Sequence, residues 1–111
     1  DTFWYRITML DYKVSPRAER YFKKLKDKDL KNKYHDAIIA IREDPSVGNP
    51  KKGDLKGILG YDIYHNGVNY EIAYEVVERD GQLLIIILAG TRENFYNELK
   101  VYLKRRKGLS D

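Results

Sequence analysis

Cysteine is absent from the 111-residue sequence, and proline, histidine and long apolar stretches are scarce. Without cysteine, disulfide frameworks, thiolate zinc sites and thiol catalysis are excluded, and the absence fits a reducing cytosol. The longest apolar run, Leu83 to Ala89, is far too short to span a bilayer. No basic segment followed by an apolar stretch stands at the start of the sequence, so a secreted protein is not expected. The remaining composition, 34% charged and 42% hydrophobic, is typical of a globular domain. A cytoplasmic location and no membrane partner are therefore expected.

Positive charge is concentrated in two blocks, although the formal net charge is only +4. Such blocks are the electrostatic footprint of proteins that approach nucleic acid or an acidic partner. From charge alone, solvated helix faces are the simpler interpretation. The first block comprises Arg17, Arg20, Lys23, Lys24, Lys26, Lys28, Lys31 and Lys33, and the second comprises Lys104, Arg105, Arg106 and Lys107.

Apolar periodicity predicts one α+β domain over residues 1–111, with the element order β, α, α, β, β, β, α. The first strand is predicted within residues 3–14, and residues 1–8 are a candidate N-terminal extension. Ser15 followed by Pro16 is typical of a helix start. Two amphipathic helices then form a hairpin, and a long loop rich in proline, glycine and lysine separates them from the remaining strands.

The dipeptide Asn66-Gly67 lies between two runs of alternating residues and predicts a two-residue hairpin with a type I′ turn. Such a turn fixes the register, so Asp62 faces Glu71, and like charges there repel unless a cation offsets them. The helices are expected to cover the face that carries Tyr61, Ile63, Tyr70, Ile72, Tyr74 and Val76. An open polar surface is expected on the other face, with Asp62, Tyr64, Asn69, Glu71, Ala73 and Glu75.

Arg92 follows the most apolar strand, and the residues alone leave two interpretations of it open. One is a salt bridge to Glu71 or Glu75. The other is a phosphate clamp, for which the planar guanidinium is suited. Two carboxylates without neighbouring histidines are weak evidence for metal ligation, so no metal and no cofactor are expected.

Four segments, in their order along the chain, resemble the RelE/ParE superfamily of toxins from type II toxin-antitoxin systems. The segments are YKVSPRAERYFKKL, AIIAIREDPSVGNPKKGDLKG, NYEIAYEV and IIILAGTRENFY, and the resemblance extends from Tyr12 to Tyr102. It implies a small antiparallel sheet with the N-terminal helical hairpin packed on one face and a C-terminal helix. It also implies a cognate antitoxin, a small acidic protein that contacts the basic helices and displaces or covers the C-terminal helix.

Members of the RelE branch cut mRNA in the ribosomal A site without a metal, whereas members of the ParE branch inhibit DNA gyrase. The expected partners are accordingly the ribosome and mRNA, or gyrase. Where the RNase branch commonly carries lysines and an arginine on the open sheet face, this sequence has Asp62, Tyr64 and Glu71. Because the charge of this face is inverted, a degenerate member that only binds its antitoxin is a third alternative.

An RNase of this kind needs a phosphate ligand, a base for the ribose 2′-hydroxyl and an acid for the leaving oxygen. The AGTRENFY context is like that of the RelE branch, and it favours a ribosome-dependent mRNA endoribonuclease over the two alternatives. The candidate catalytic residues are Arg92 for phosphate, Glu71 or Asp62 as base, and Tyr96, Tyr64 or His65 as acid. The candidate RNA-binding residues are Lys51, Lys52, Lys56, Arg17, Arg20, Lys23 and Lys24.

Overall fold

The computed structural model describes residues 9–78, 80–93 and 95–110, and in this part of the chain a five-stranded sheet is covered by helices. The strands are β1 (Asp11–Val14), β2 (Asn49–Pro50), β3 (Leu59–His65), β4 (Val68–Glu78) and β5 (Gln82–Thr91). The α-helices are α1 (Pro16–Lys24), α2 (Lys28–Glu43) and α3 (Phe95–Ser110). The predicted α+β fold is confirmed, while the candidate extension over residues 1–8 lies outside the described residues.

Strand β1 makes the sheet mixed, because it runs parallel to β5 and pairs Asp11 with Leu83 and Val14 with Ile86. The sheet order is β1-β5-β4-β3-β2, and the other neighbouring strands are antiparallel. Parallel strands need a long crossover connection, which the two helices and the strands β2 to β4 supply. The sheet is therefore mixed, whereas the resemblance had implied an antiparallel sheet.

Ser15 joins the start of α1 to the centre of the sheet. Its hydroxyl accepts a hydrogen bond from the Ala18 N–H at 3.1 Å, as expected of a helix cap, and donates to the Ile87 carbonyl at 2.6 Å. Ile87 is the extra residue of a β-bulge in β5, between the partners of Ala73 and Tyr74. The buried serine thus also gives a hydrogen-bond partner to a carbonyl at the bulge.

The hairpin of β3 and β4 has the predicted register, with Asp62 opposite Glu71. Asn66 and Gly67 have φ angles of 49° and 78°, as a type I′ turn requires. The predicted apolar face is confirmed, since Ile63, Ile72 and Tyr74 are buried against α1 and α2. We call this face the helix side. Its buried cluster also contains Ala18, Leu30, Tyr34, Ala37, Ile41, Leu84, Ile86 and Ala89.

The other face is only partly open, because α3 packs on it. Phe95 and Leu99 of α3 are buried against Ala73, Ile87 and Leu88, together with two residues of the long loop, Leu55 and Ile58. The expectation of an open polar surface is therefore wrong at Ala73 and at Glu71, both of which are buried. The apolar stripe of α3 needs a surface to cover, and this end of the sheet supplies it. Within the described residues, no helix has the length and apolarity to cross a membrane.

Candidate functional site

Two rows of residues cross β3, β4 and β5 on the face opposite the helix side, and we call them together the Arg92 patch. The register aligns Tyr64 with Asn69, whose carbonyl accepts the Arg92 N–H at 2.9 Å. Alternate residues of a strand share a face, so the two rows lie next to each other. The first row consists of Asp62, Glu71 and Gly90, and the second of Tyr64, Asn69 and Arg92.

Glu71 is the buried residue of the patch, and its carboxylate is paired with Lys51. The Lys51 Nζ lies 2.5 Å from Glu71 Oε2, and only 3% of the Glu71 side chain is exposed. The backbone N–H of Lys51 donates to the Ile58 carbonyl at 2.8 Å, and its ammonium lies 6.0 Å from the centre of the Phe95 ring. Lys51 therefore joins the long loop to β4 and α3. In this structure the Lys51 ammonium contacts Glu71. The role of Lys51 in RNA binding stays a prediction.

Two glycines flank Glu71 and differ in the space around them. A Cβ atom on Gly60 would collide with the Glu71 carboxylate and crowd the Lys51 side chain. A Cβ atom on Gly90 would meet nothing within 4 Å. Gly60 is thus required for the ion pair, whereas Gly90 leaves open space beside it. A glycine inside a strand often marks a position that another backbone or a ligand approaches closely.

The Arg92 guanidinium is loosely held and accessible. Its Nη1 lies 3.5 Å from Asp62 Oδ2 and its Nε lies 3.9 Å from Glu71 Oε1, distances longer than those of good hydrogen bonds. The exposed fractions of the Arg92 and Asp62 side chains are 58% and 45%. The Arg92 backbone, by contrast, is fixed at both ends, since its N–H donates to Asn69 and its carbonyl accepts from Phe95. An anchored backbone with an accessible guanidinium suits the binding of an anion.

The three candidate acids lie in different surroundings. Tyr64 is exposed within the patch. Tyr96, in the first turn of α3, is also exposed, and its ring contacts the Lys100 ammonium at 5.3 Å. His65 is buried on the helix side, with Nε2 3.0 Å from Asp27 Oδ2 and no hydrogen-bond partner for Nδ1 among the described residues. The structure therefore brings Tyr64 together with Arg92 and Asp62, but not His65.

The cap of α2 explains the contact of His65. Asp27 accepts hydrogen bonds from the backbone N–H groups of Asp29 and Leu30 through Oδ1 and faces His65 through Oδ2. The hydrogen bond to His65, followed by those to the helix backbone, lowers the pKa of the Asp27 carboxyl below its usual value. His65 thus links the tip of the hairpin to the start of α2.

The candidate RNA-binding cations fall on two sides of the sheet. Lys52 and Lys56 are exposed next to Lys51, in the loop that borders α3. The others lie on α1, which packs on the helix side; Arg20, Lys23 and Lys24 are exposed, and Arg17 is half-buried. Near Arg92, two cations face two carboxylates, so the formal charges of the ion-paired groups cancel. In the described ranges, no group of three or more histidine, aspartate or glutamate side chains could hold a metal ion.

Gly60 and Gly90 were not identified as site residues from the sequence. A signal was present for Gly90, because a glycine at the end of an apolar strand pattern indicates a bulge or a close approach. The contact between Lys51 and Glu71 had no comparable signal, since β2 is only two residues long and its pairing with β3 sets where Lys51 lies.

A protein-family model matches most of the chain. The model of the ParE-like toxins of type II bacterial toxin-antitoxin systems matches residues 12–100. The chain therefore belongs to the ParE-like toxin family. A search of curated proteins finds no match.

Three solved structures are similar in fold. A double arginine mutant of the E. coli toxin RelE in the free state is 14% identical, with a TM-score of 0.68, and the match covers 88% of this chain and 97% of RelE. The Mycobacterium tuberculosis toxin-antitoxin complex RelBE2 contains a chain that is 20% identical, with a TM-score of 0.57 and coverages of 76% and 99%. The intact E. coli RelBE complex gives 17% identity, a TM-score of 0.58 and coverages of 73% and 94%. At these identities, the likeness establishes the fold.

Proposed function

We propose that the chain acts in the cytoplasm as a toxin that inhibits translation by cutting mRNA on the ribosome. The observation that carries the proposal is the exposed Arg92 guanidinium, 3.5 Å from the accessible Asp62 carboxylate and next to the open space at Gly90. Cleavage of a phosphodiester without a metal requires a phosphate ligand, a base and an acid. Arg92 and Asp62 supply the first two beside free space on a rigid sheet, and Tyr64 lies on the same face. The likeness in fold to the RelE toxin supports this reading.

Arg92 binds the scissile phosphate in this proposal. Its guanidinium offers paired donors to two phosphate oxygens and stabilises the negative charge that builds up in the transition state. Lys52 and Lys56, exposed in the loop that borders α3, bind neighbouring phosphates of the message. The cations of α1 face away from the patch and contact ribosomal RNA through its backbone, without regard to sequence.

Asp62 suits the role of base better than Glu71. Asp62 is 45% exposed, whereas Glu71 is 3% exposed and its Oε2 is held by Lys51. Asp62 takes the proton of the ribose 2′-hydroxyl, and the 2′-oxygen attacks phosphorus as the bond to the 5′-oxygen breaks. Tyr64, on the same face two residues further along β3, protonates that leaving oxygen. The products are a 2′,3′-cyclic phosphate and a free 5′-hydroxyl.

Translation with purified ribosomes, followed by primer extension along the message, tests the proposal. Wild type is expected to cut the message, and Arg92→Ala is expected to cut it at least about a hundredfold more slowly, the usual effect of losing a transition-state donor. Lys13→Ala removes one positive charge from an exposed position of the edge strand β1 and serves as the matched control that still cuts. If wild type and Arg92→Ala leave the same uncut message, the chain is not a nuclease of this kind.

Inhibition of DNA gyrase by binding alone is the second candidate. It is favoured by the cancelling charges around Arg92, which leave no excess positive charge for RNA, and by membership of the ParE-like family. A supercoiling assay with purified gyrase decides this alternative. Full supercoiling at micromolar protein, in a preparation that arrests growth when expressed, would exclude it.

A small acidic antitoxin is the proposed partner. Two of the similar solved structures are described as toxin-antitoxin complexes. On this chain, α3 exposes Tyr96 and Val101, and a groove runs between Val101 and the loop residues Asp54 and Leu55. An amphipathic helix or strand would cover these apolar groups, while acidic side chains meet Lys100 and Lys104 at its edge. Copurification with the product of the adjacent reading frame, lost in Val101→Glu, tests the contact.

A further inference from the structure

We propose that Asp62 competes with RNA phosphate for Arg92, so that a phosphate binds only by displacing an internal carboxylate. The inference rests on the proposed function, because it concerns how Arg92 binds RNA. It gives Asp62 a second effect besides its role as base. The carboxylate that prepares the nucleophile also weakens the binding of phosphates that no other contact holds.

The two ion pairs of the patch differ in how firmly they are made. Lys51 and Glu71 are 2.5 Å apart, and Glu71 is buried. Arg92 and Asp62 are 3.5 Å apart, and both side chains are about half exposed. An exposed pair at this distance is screened by salt and contributes little to stability. The pair between Arg92 and Asp62 is therefore the one that an incoming anion can open.

An incoming phosphate cannot avoid the Asp62 charge. Asp62 is paired with Glu71 within the β3–β4 ladder, and the Arg92 backbone is bonded to Asn69 in the neighbouring row. Both Cα atoms are thus fixed, and the displaced carboxylate stays beside the phosphate that replaces it. Like charges at this separation repel, so every phosphate bound to Arg92 is weakened by Asp62. An RNA held by further contacts, such as a message on the ribosome, can offset this loss.

Binding of a short fluorescein-labelled single-stranded RNA, measured by fluorescence anisotropy without ribosomes, tests the inference. Asp62→Asn is expected to bind about two- to fivefold more tightly than wild type at low salt, the range for one exposed ion pair. The gain is expected to shrink as salt is raised. Asp36→Asn is the matched control, because Asp36 is 83% exposed on α2 and its removal changes the net charge equally.

The same substitution in an Arg92→Ala background separates competition from general charge. If Asp62 acts through Arg92, Asp62→Asn then gains no more than Asp36→Asn. The inference is overturned if Asp62→Asn matches Asp36→Asn in the wild-type background, if its excess gain persists without Arg92, or if it shows no RNA binding at low salt. Circular dichroism of each variant verifies the fold.

The two proposals fail in different experiments. A wild type that cuts no message, combined with an Arg92-dependent gain in Asp62→Asn, contradicts the nuclease and supports the competition. A wild type that cuts its message, combined with no such gain, supports the nuclease and contradicts the competition. If both hold, Asp62→Asn binds RNA more tightly and yet loses cleavage, a combination that a purely structural role of Asp62 does not produce.

Discussion

The helix side of the sheet and the Arg92 patch hold their polar groups in opposite ways, although the same strands supply both. On the helix side, the hydroxyls of Tyr21 and Tyr34 lie 3.0 Å apart, and the Tyr74 hydroxyl donates to the Pro45 carbonyl at 2.5 Å. On the patch, the contacts of the Arg92 guanidinium are 3.5 Å and 3.9 Å long and exposed. Closed contacts among buried groups stabilise a fold, while open contacts leave donors for a ligand.

Among the ion pairs of the patch, that of Lys51 with the buried Glu71 resembles the contacts of the helix side. It lies where the patch meets the apolar cluster of α3, through the ring of Phe95. The border between a stabilising region and an accessible one thus runs through the patch, between Glu71 and Asp62. Substitutions on either side of this border are expected to differ in kind.

Ile72→Ala, on the helix side, is expected to cause the largest loss of stability. Ile72 is fully buried, and the cavity left by its side chain costs about 2–5 kcal/mol of the free energy of unfolding. Tyr64→Ala, on the exposed patch, is the control and should change it by less than about 0.5 kcal/mol. Denaturation in urea measures both, and equal losses would mean that the two faces do not differ as described.

Lys51→Met leaves the Glu71 carboxylate buried without its partner. The expected loss is about 3 kcal/mol, the lower end for breaking a buried pair, because Arg92 at 3.9 Å offsets part of it. The double variant Lys51→Met/Glu71→Leu should recover most of this stability, since apolar residues replace both charges. A double variant as unstable as Lys51→Met alone would show that the ion pair is not the cause.

Gly60→Ala and Gly90→Ala make the same change on either side of Glu71. Gly60→Ala forces the Glu71 carboxylate away and should destabilise the protein by about 1–3 kcal/mol. Gly90→Ala has room for its methyl group and should leave stability unchanged or raise it by up to about 1 kcal/mol. If Gly90 lies beneath bound RNA, Gly90→Ala nevertheless cuts the message more slowly. Equal stability of the two variants would contradict the packing at Gly60.

Alkaline pH is expected to lower the free energy of unfolding through two tyrosines on the helix side. Burial raises the pKa of Tyr34 and of Tyr21 above the ordinary value of 10.0. Above about pH 10 the unfolded chain releases these protons while the folded chain retains them, so the free energy of unfolding falls as pH rises. Tyr34→Phe costs about 1 kcal/mol at neutral pH by removing the hydroxyl contact. It should also flatten the alkaline fall, and an unchanged slope in denaturation between pH 9 and about pH 11 would exclude Tyr34 as its source.

Arg92→Ala is expected to have the smallest effect on stability. Exposed ion pairs contribute about 0.2–1 kcal/mol, so thermal unfolding should shift by only a few degrees. A loss of toxicity with this small shift assigns Arg92 to function. A loss of several kcal/mol would instead make it the counter-ion that the two carboxylates need in order to fold.

Local signals explain which parts of the fold could be predicted. Asn66-Gly67 demands positive φ angles and thereby sets the alternation of both strands, and Ser15 before Pro16 defines the start of α1. The same alternation puts His65 on the helix side with Ile63, so its burial could have been read from the register. The contact of His65 with Asp27, which comes from another element, had no such local signal.

Contacts between distant segments could not be predicted in the same way. The parallel pairing of β1 with β5 and the covering of Ala73 by α3 depend on how complete elements pack. The pairing of Lys51 with Glu71 depends on a two-residue strand inside a segment with loop composition. Sequence patterns identified Asp62, Glu71 and Arg92 as neighbours, but which carboxylate is buried follows only from the packing of the loop and α3.

The hydrogen bond from the Ser15 hydroxyl to the Ile87 carbonyl spans 72 positions of the chain, and β1 pairs with the late strand β5. Contacts this distant in sequence close slowly, and a chain made from its N-terminus cannot form them until β5 has left the ribosome. Arg92 is synthesised directly after that strand. Completion of the sheet and availability of the guanidinium thus come at the same late stage of synthesis, so a truncated nascent chain has neither a closed fold nor the patch.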